Sequence, residues 1–154
     1  MYNKILSPVD GSLTSDRGVA EAISLARDQQ ARLRFLHVLD PYFATVEPGS
    51  INIAEWLEIL RRSGREILDK AKATADAAGI IAETAMVESM GGRVAEVIVR
   101  EAEAWPAEVI VMGTHGRRGV SHLFMGSDAE AVIRTSPVPV LLMRYNQAEA
   151  KAAV

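Results

Sequence analysis

Two glycine-rich stretches stand apart in the 154-residue chain: Gly113-Thr114-His115-Gly116 and, after nine intervening residues, Gly126-Ser127. An apolar run, Val109-Ile110-Val111-Met112, precedes the first, and a helical pattern opens at Asp128 directly after the second. A strand that ends in glycine-rich backbone and feeds a helix start is suited to holding phosphate. Without a Cβ, main-chain N–H groups can approach an anion closely, and a helix N-terminus adds unpaired donors and partial positive charge. The spacing matches neither G-x-G-x-x-G nor G-x-x-x-x-G-K-[ST], so the Rossmann and Walker fingerprints do not account for it. A second glycine-polar strand exit, Asp10-Gly11-Ser12, follows Ile5-Leu6-Ser7-Pro8-Val9.

Apolar runs and helical patterns alternate along the chain and would position these loops. After the first strand, Val19, Ala22, Ile23 and Ala26 recur at helical spacing over residues 15–28, with Thr14 or Ser15 available as N-cap. Residues 32–39 read as a second strand closed by Asp40-Pro41, and residues 42–50 as a loop. A longer helix is expected over 53–78, with Trp56, Leu60, Ile67, Ala71, Ala75 and Ala78 on one face and Gly79 just past its end. Gly64 inside it costs about 1 kcal/mol against alanine, which points to a kink or to close packing. A weaker strand at 82–87 leads through Gly91-Gly92 to an amphipathic helix carrying Val94, Val97, Ile98, Ala102 and Trp105, stopped by Pro106. A fourth strand spans 108–112, a helix carries Ala129, Val132 and Ile133, and a fifth strand spans 138–144. Five strands alternating with four helices predict an α/β domain whose parallel sheet is covered on both faces. Strand order does not follow from spacing.

Composition bounds the function. The length suits one domain, expected over 1–145, with an alanine- and charge-rich tail at 146–154. Hydrophobic residues at 49% and charged residues at 24% are ordinary for a globular protein, and the chain contains no cysteine for a disulfide or a thiolate metal site. A net charge of −3 with scattered basic residues argues against bulk attraction to nucleic acid or anionic lipid. No apolar run approaches bilayer length, and the first residues lack a signal peptide's apolar core, so a cytoplasmic location is expected.

The pattern G-x-x-G-x9-G-S resembles the nucleotide-binding signature of the universal stress protein family, and the resemblance covers nearly the whole chain. Lys4-Ile5-Leu6-Ser7-Pro8-Val9-Asp10-Gly11-Ser12 is similar to the family's opening strand, and Leu36-His37-Val38 to its second. Val111-Met112-Gly113-Thr114-His115-Gly116-Arg117 with Met125-Gly126-Ser127 matches its nucleotide loop, and Ser136-Pro137-Val138-Pro139-Val140-Leu141-Leu142 its last strand. The resemblance implies a Rossmann-like open sheet of five parallel strands in the order 3-2-1-4-5. Strands 1 and 4 then flank the point where ligands bind in open α/β sheets. It also implies the ATP-binding subgroup, with ATP, ADP or AMP as ligand and Mg²⁺ entering with the phosphates. By this similarity Pro8, Val9 and Asp10 lie beside the adenosine, Asp10 toward the ribose, and Val38 meets the adenine edge through its main chain. Met112 and Gly113 contact the nucleoside, His115, Gly116 and Arg117 approach the phosphates, and Gly126, Ser127 and Asp128 close around the phosphate tail. Asp128 departs from the family's usual small or apolar residue, and an inward carboxylate there would oppose a triphosphate.

Several of these residues are open to a second reading. Ser127 with Glu130 forms a capping-box pattern that needs no ligand. Asp10 could make an Asx turn with Gly11 and Ser12. His37 in its apolar run reads as a satisfied core histidine, His115 reads equally as a solvated loop residue, and His122 has no assigned chemistry. Arg117 is favoured over Arg118 for phosphate contact, while Arg61 and Arg62 read as helix surface. Three function classes compete: a nucleotide-binding stress-response module, an ATP-using α/β enzyme (adenylating or slowly hydrolysing), and a phosphoacceptor receiver domain. The enzyme reading lacks a Ser-Gly-Gly-x-Asp-Ser loop after strand 1; the receiver reading lacks an acid beside Asp10, and the last strand contains Pro-Val-Pro with no lysine. The stretch 138–143 is apolar on both faces, yet Pro139 points to a sheet edge, and the family's homodimer through the last strand would cover it.

Overall fold

The alternation of apolar runs resolves into β1 (Lys4–Pro8), α1 (Leu13–Gln29), β2 (Arg32–Leu39), α2 (Ile53–Ala77), β3 (Ala82–Glu88), α3 (Val94–Ala104), β4 (Val109–Gly113), α4 (Ser127–Thr135) and β5 (Val140–Met143). The computed structural model describes residues 1–41, 52–114 and 125–144. His115, Gly116, Arg117, Arg118, His122 and the tail expected at 146–154 lie outside these residues, as does the whole loop expected at 42–50. The five strands are parallel throughout and pair in the order β3-β2-β1-β4-β5, as the resemblance implied.

Because successive side chains on a strand point to opposite faces, the continuous apolar runs feed two separate cores. Ile5, Leu33, Phe35, Val109 and Val111 meet Val19, Ala22, Ile23 and Ala26 of α1 and Leu68, Ala71 and Ala75 of α2. Leu6, Leu36, Ile110 and Met112 meet Ala95, Ile98 and Ala102 of α3 and Ala129 and Val132 of α4. Ile133, expected on the apolar face of α4, is 45% exposed. Among the described residues, no helix is long and apolar enough to cross a membrane.

Helix α1 starts two residues earlier than its apolar spacing predicts. Ser12, not Thr14 or Ser15, is the N-cap, and its Oγ accepts the Ser15 N–H at 3.2 Å. Ser15 Oγ is turned backward, accepting the Asp10 N–H at 3.1 Å. The end of α2 follows the sequence. Gly79 takes φ +77°, its N–H donates to the Asp76 carbonyl at 3.0 Å, and the Ile80 N–H donates to the Ala75 carbonyl at 2.9 Å. That pair of bonds is a Schellman cap, which needs the left-handed conformation glycine adopts at no steric cost.

The buried ridge of α2 runs through Gly64, Leu68, Ala71 and Ala75, while Trp56 and Leu60 in its first turns overhang the ends of the strands. Arg61, read as helix surface, instead donates from Nη2 and Nε to the Glu88 carboxylate at 2.7 and 3.0 Å, tying α2 to the end of β3. At the opposite end of the sheet, Arg34 bridges Glu83 and Glu101 at 2.7 and 2.8 Å with its guanidinium 4.6 Å from the Trp105 ring. Hydrogen bonds from Arg34 and then Arg32 hold the Glu83 carboxyl below the usual carboxylate range.

Two glycines mark where elements come too close for a side chain. A Cβ on Gly64 would lie 2.7 Å from His37 Cδ2 and 2.9 Å from Met86 Sδ. A Cβ on Gly113 would lie 2.7 Å from the Thr14 carbonyl carbon and 2.9 Å from the Ser15 nitrogen, both main-chain atoms of α1. In an open helix Gly64→Ala would stabilise by about 1 kcal/mol. Here overpacking of about 1–3 kcal/mol opposes that gain, since the His37 ring cannot retreat without losing its 2.7 Å bond to Val9. Urea denaturation should therefore show Gly64→Ala to be destabilised. Gly113→Ala, which meets backbone, should lose more than Gly64→Ala, and a midpoint for either variant above that of the unmodified chain would contradict the packing.

Candidate functional site

The carboxyl ends of β1, β2 and β4 open onto a cleft of about 510 Å³. It lies where crossovers diverge, β1 leading toward β2 on one side and β4 toward β5 on the other. Of the residues expected at the site, Pro8, Val9 and Asp10 line it from β1, Val38 from β2, and Met112 and Gly113 from β4. Gly126, Ser127 and Asp128 line it from the start of α4. The structure thus gathers nine of the twelve expected residues on one wall system; the other three, His115, Gly116 and Arg117, are outside the described residues.

Each wall has a local cause. Asp10 Oδ1 accepts the Ser12 N–H at 2.9 Å, an Asx turn. Gly11, at φ +79°, reverses the chain there into α1. The turn reading of Asp10 therefore holds, and the turn also fixes the carboxylate at the cleft. His37 is buried, and with Nδ1 carrying the proton it donates to the Val9 carbonyl at 2.7 Å, so it is the satisfied core histidine expected; it also forms part of the cleft floor.

The backbone at Val38 follows from strand alternation. The Leu36 carbonyl accepts the Val9 N–H at 2.8 Å, whereas the Leu39 carbonyl accepts the Ser89 N–H at 2.9 Å on the β3 side. N–H and C=O alternate sides with period two along a strand. The main-chain groups of Val38 therefore turn toward β1, beyond the last paired rung, Pro8 with Leu36. They face the cleft.

On the far wall the Thr114 N–H donates to the Met143 carbonyl at 2.9 Å, and the Thr114 carbonyl accepts the Gly126 N–H at 2.8 Å. These bonds join the end of β4 directly to the start of α4. Gly126 is the N-cap of α4 and makes no side-chain cap bond. The Ser127–Glu130 capping box is thus not formed: Ser127 is one residue too far along, and Glu130 pairs with Arg134 instead. The first N–H groups of a helix have no acceptor within it, and Ser127, Asp128 and Ala129 at the start of α4 line the cleft.

The electrostatics are one-sided. Asp10, Asp40 and Asp128 line the cleft with His37, and no lysine or arginine does so among the described residues. Among the described residues, no group of His, Cys, Asp or Glu is arranged to hold a metal ion. Trp56 and Leu60 complete the wall from α2, and Val94 and Ile98 from α3. Sequence reasoning placed these four on helix faces only. The signal available was position, since the first turns of a crossover helix lie near the carboxyl end of the strand before it.

A family model described as the universal stress protein family matches residues 1–144. The chain is 35% identical over 151 residues to the universal stress protein MJ0531 of Methanocaldococcus jannaschii, covering 97% of this chain and 86% of that protein. A solved structure of a protein from the universal stress protein family of Burkholderia pseudomallei is similar at a TM-score of 0.77 and 31% identity, over 94% of this chain and 97% of that one. A universal stress protein solved in complex with cAMP is similar at a TM-score of 0.67 and 25% identity, over 93% of this chain and 97% of that one. With the strand order and the match over residues 1–144 in agreement, the chain belongs to the universal stress protein family.

Proposed function

We propose that this chain binds an adenine nucleotide in the cleft and acts as a regulatory stress-response module that reads cytoplasmic nucleotide. One observation carries the proposal: three strand exits and a helix N-terminus with a glycine in place of a side-chain cap converge on a cleft of about 510 Å³. That volume falls within the ~300–1,000 Å³ of small-molecule sites. The similar protein solved with cAMP supports an adenine ring and a phosphate as the ligand class. The main chain of Val38 meets the adenine edge and the Asp10 carboxylate accepts from the ribose. Gly126, Ser127 and Asp128 take the phosphates at the start of α4, where the helix dipole favours negative charge. His115, Gly116 and Arg117 take the phosphate role that the family resemblance assigns them.

ATP is the full ligand in this reading, and it enters with Mg²⁺. Carboxylates at Asp10, Asp40 and Asp128 raise the cost of bringing in a bare triphosphate, and a divalent ion offsets it. Calorimetry should detect binding of AMP and ATP, with ATP affinity rising on addition of Mg²⁺. Asp10→Asn keeps an oxygen for the turn to Ser12 but removes the charge. It should weaken binding roughly tenfold, the size of one charge-assisted hydrogen bond, without lowering Tm. No heat with any adenine nucleotide would refute the proposal, and unchanged affinity in Asp10→Asn would leave that carboxylate a turn residue only.

The proposed assembly is a homodimer through β5. This strand lies at the sheet edge, and its described span begins at Val140, not at Val138 as the apolar run suggests. The Pro139 carbonyl accepts the Ile110 N–H at 3.0 Å and the Met143 carbonyl accepts the Thr114 N–H at 2.9 Å, so odd-numbered residues face β4. By alternation Val140 and Leu142 turn their main-chain groups to the open edge, and Leu141 is 38% exposed. An open apolar edge needs a partner or a cover, and antiparallel pairing with a second copy supplies one. Val140→Pro removes an outward N–H while leaving the β4 ladder its donors. Light scattering should find a dimer for the unmodified chain and a shift to monomer or aggregate for Val140→Pro; a stable monomer of the unmodified chain at micromolar concentration would contradict the assembly.

A further inference from the structure

Trp56 is placed for recognition, although its spacing in the sequence marks it only as part of a helix face. It is the fourth residue of α2, and its N–H donates to the carbonyl of the N-cap residue Asn52 at 2.9 Å, so the backbone that carries it is fixed as the helix's first closed turn. Its half-buried indole forms part of the cleft wall with Leu60 one turn later. Indole nitrogen can only donate, and Trp56 Nε1 is shut from solvent with no acceptor. Two other buried polar atoms share that condition among the described residues, Ser7 Oγ and Ser89 Oγ, and neither residue lines the cleft. Buried donors are almost always satisfied in native proteins, so an orphan on a cavity wall calls for an explanation such as an absent partner.

We infer that Trp56 is a base-recognising residue of the cleft, its Nε1–H donating to an in-plane acceptor on the edge of a planar heteroaromatic base. The inference rests on the nucleotide reading above and deepens it. Adenine fits the chemistry because its ring nitrogens N1, N3 and N7 are in-plane acceptors for an indole that can only donate. The Nε1 is enclosed when the cleft is empty, so the indole must turn as the base enters. That movement changes its surroundings. The chain's second tryptophan, Trp105, is a fixed background: it is buried at the opposite end of the strands, with Lys4, Arg32 and Arg34 ranged about its ring.

The test titrates AMP into the full chain and into Trp56→Phe, following intrinsic fluorescence, calorimetric affinity and the Tm of the empty protein. In the unmodified chain AMP should shift the tryptophan emission. Trp56→Phe should abolish that shift and weaken AMP by about three- to tenfold, the range for one lost hydrogen bond. Its empty-protein Tm should hold or rise, because phenylalanine keeps an aromatic ring and drops an unsatisfied donor. If AMP binds the unmodified chain without moving its emission, or binds Trp56→Phe equally well, the role of Trp56 is overturned and the nucleotide reading survives. An affinity loss matched by a lower Tm makes Trp56 a structural residue and overturns the inference too. If AMP does not bind the unmodified chain, both readings fall together.

Discussion

At the carboxyl end of β4 the first turn of α1 approaches so closely that the Thr14 carbonyl carbon would stand 2.7 Å from a Cβ on Gly113. The rest of the site depends on this contact. It holds the N-terminus of α1 against β4 although α1 follows β1, and so closes one side of the gap between the two strand exits. Gly18, one turn further on, continues the approach, since a Cβ there would be 3.4 Å from the Gly113 nitrogen. The Asx turn at Asp10 and the cap at Ser12 both belong to the reversal that delivers α1 to this position. A glycine that sequence reasoning assigns to ligand approach thus has a structural duty as well. Gly113 also lines the cleft, so the residue that admits α1 borders the site as well.

Strand and helix identity was legible because continuous apolar runs and 3.6-residue periodicity are written in side chains. What was not legible is written in their absence or in the third dimension. Gly64 shows the first case: the ridge of α2 passes through a residue with no side chain, so a reading based on apolar positions chose Ile67 and passed over Leu68, which is 6% exposed. The start of α1 shows the second. Ser12, Thr14 and Ser15 all qualify as caps by type, and only the backward turn of Ser15 Oγ to the Asp10 N–H decides among them. Strand order came from the family resemblance and not from spacing. The apolar spacing of Trp56 marks a helix face, while its position in the first turn of a crossover helix is the signal for the cleft.

Charge is segregated along the strands. At their amino ends, Lys4, Arg32 and Arg34 gather about Trp105 and are offset by Glu83 and Glu101. At their carboxyl ends the described cleft lining carries three aspartates and no lysine or arginine. Among the described lining residues, positive potential at the cleft then comes from main-chain dipoles. Dipoles act over a single helix turn, so the start of α4 favours one phosphate group more than a chain of three. On the proposed nucleotide reading, the number of phosphates tolerated would depend on an accompanying cation and on Arg117, and hold on the nucleoside on the described walls.

The two tryptophans show how one residue type serves opposite ends of the same sheet. Trp105 caps α3 next to the first residues of the strands, and the Arg34 guanidinium over its ring is itself fixed by Glu83 and Glu101. Every group around it is engaged, which suits a residue that only packs. Trp56 lies over the last residues of the strands with a donor that meets nothing. Folding has already fixed the neighbourhood of Trp105, while that of Trp56 is left to be finished by whatever enters the cleft. Among the described residues that line the cleft, Trp56 in the first turn of α2 carries the one buried side-chain polar atom left without a partner.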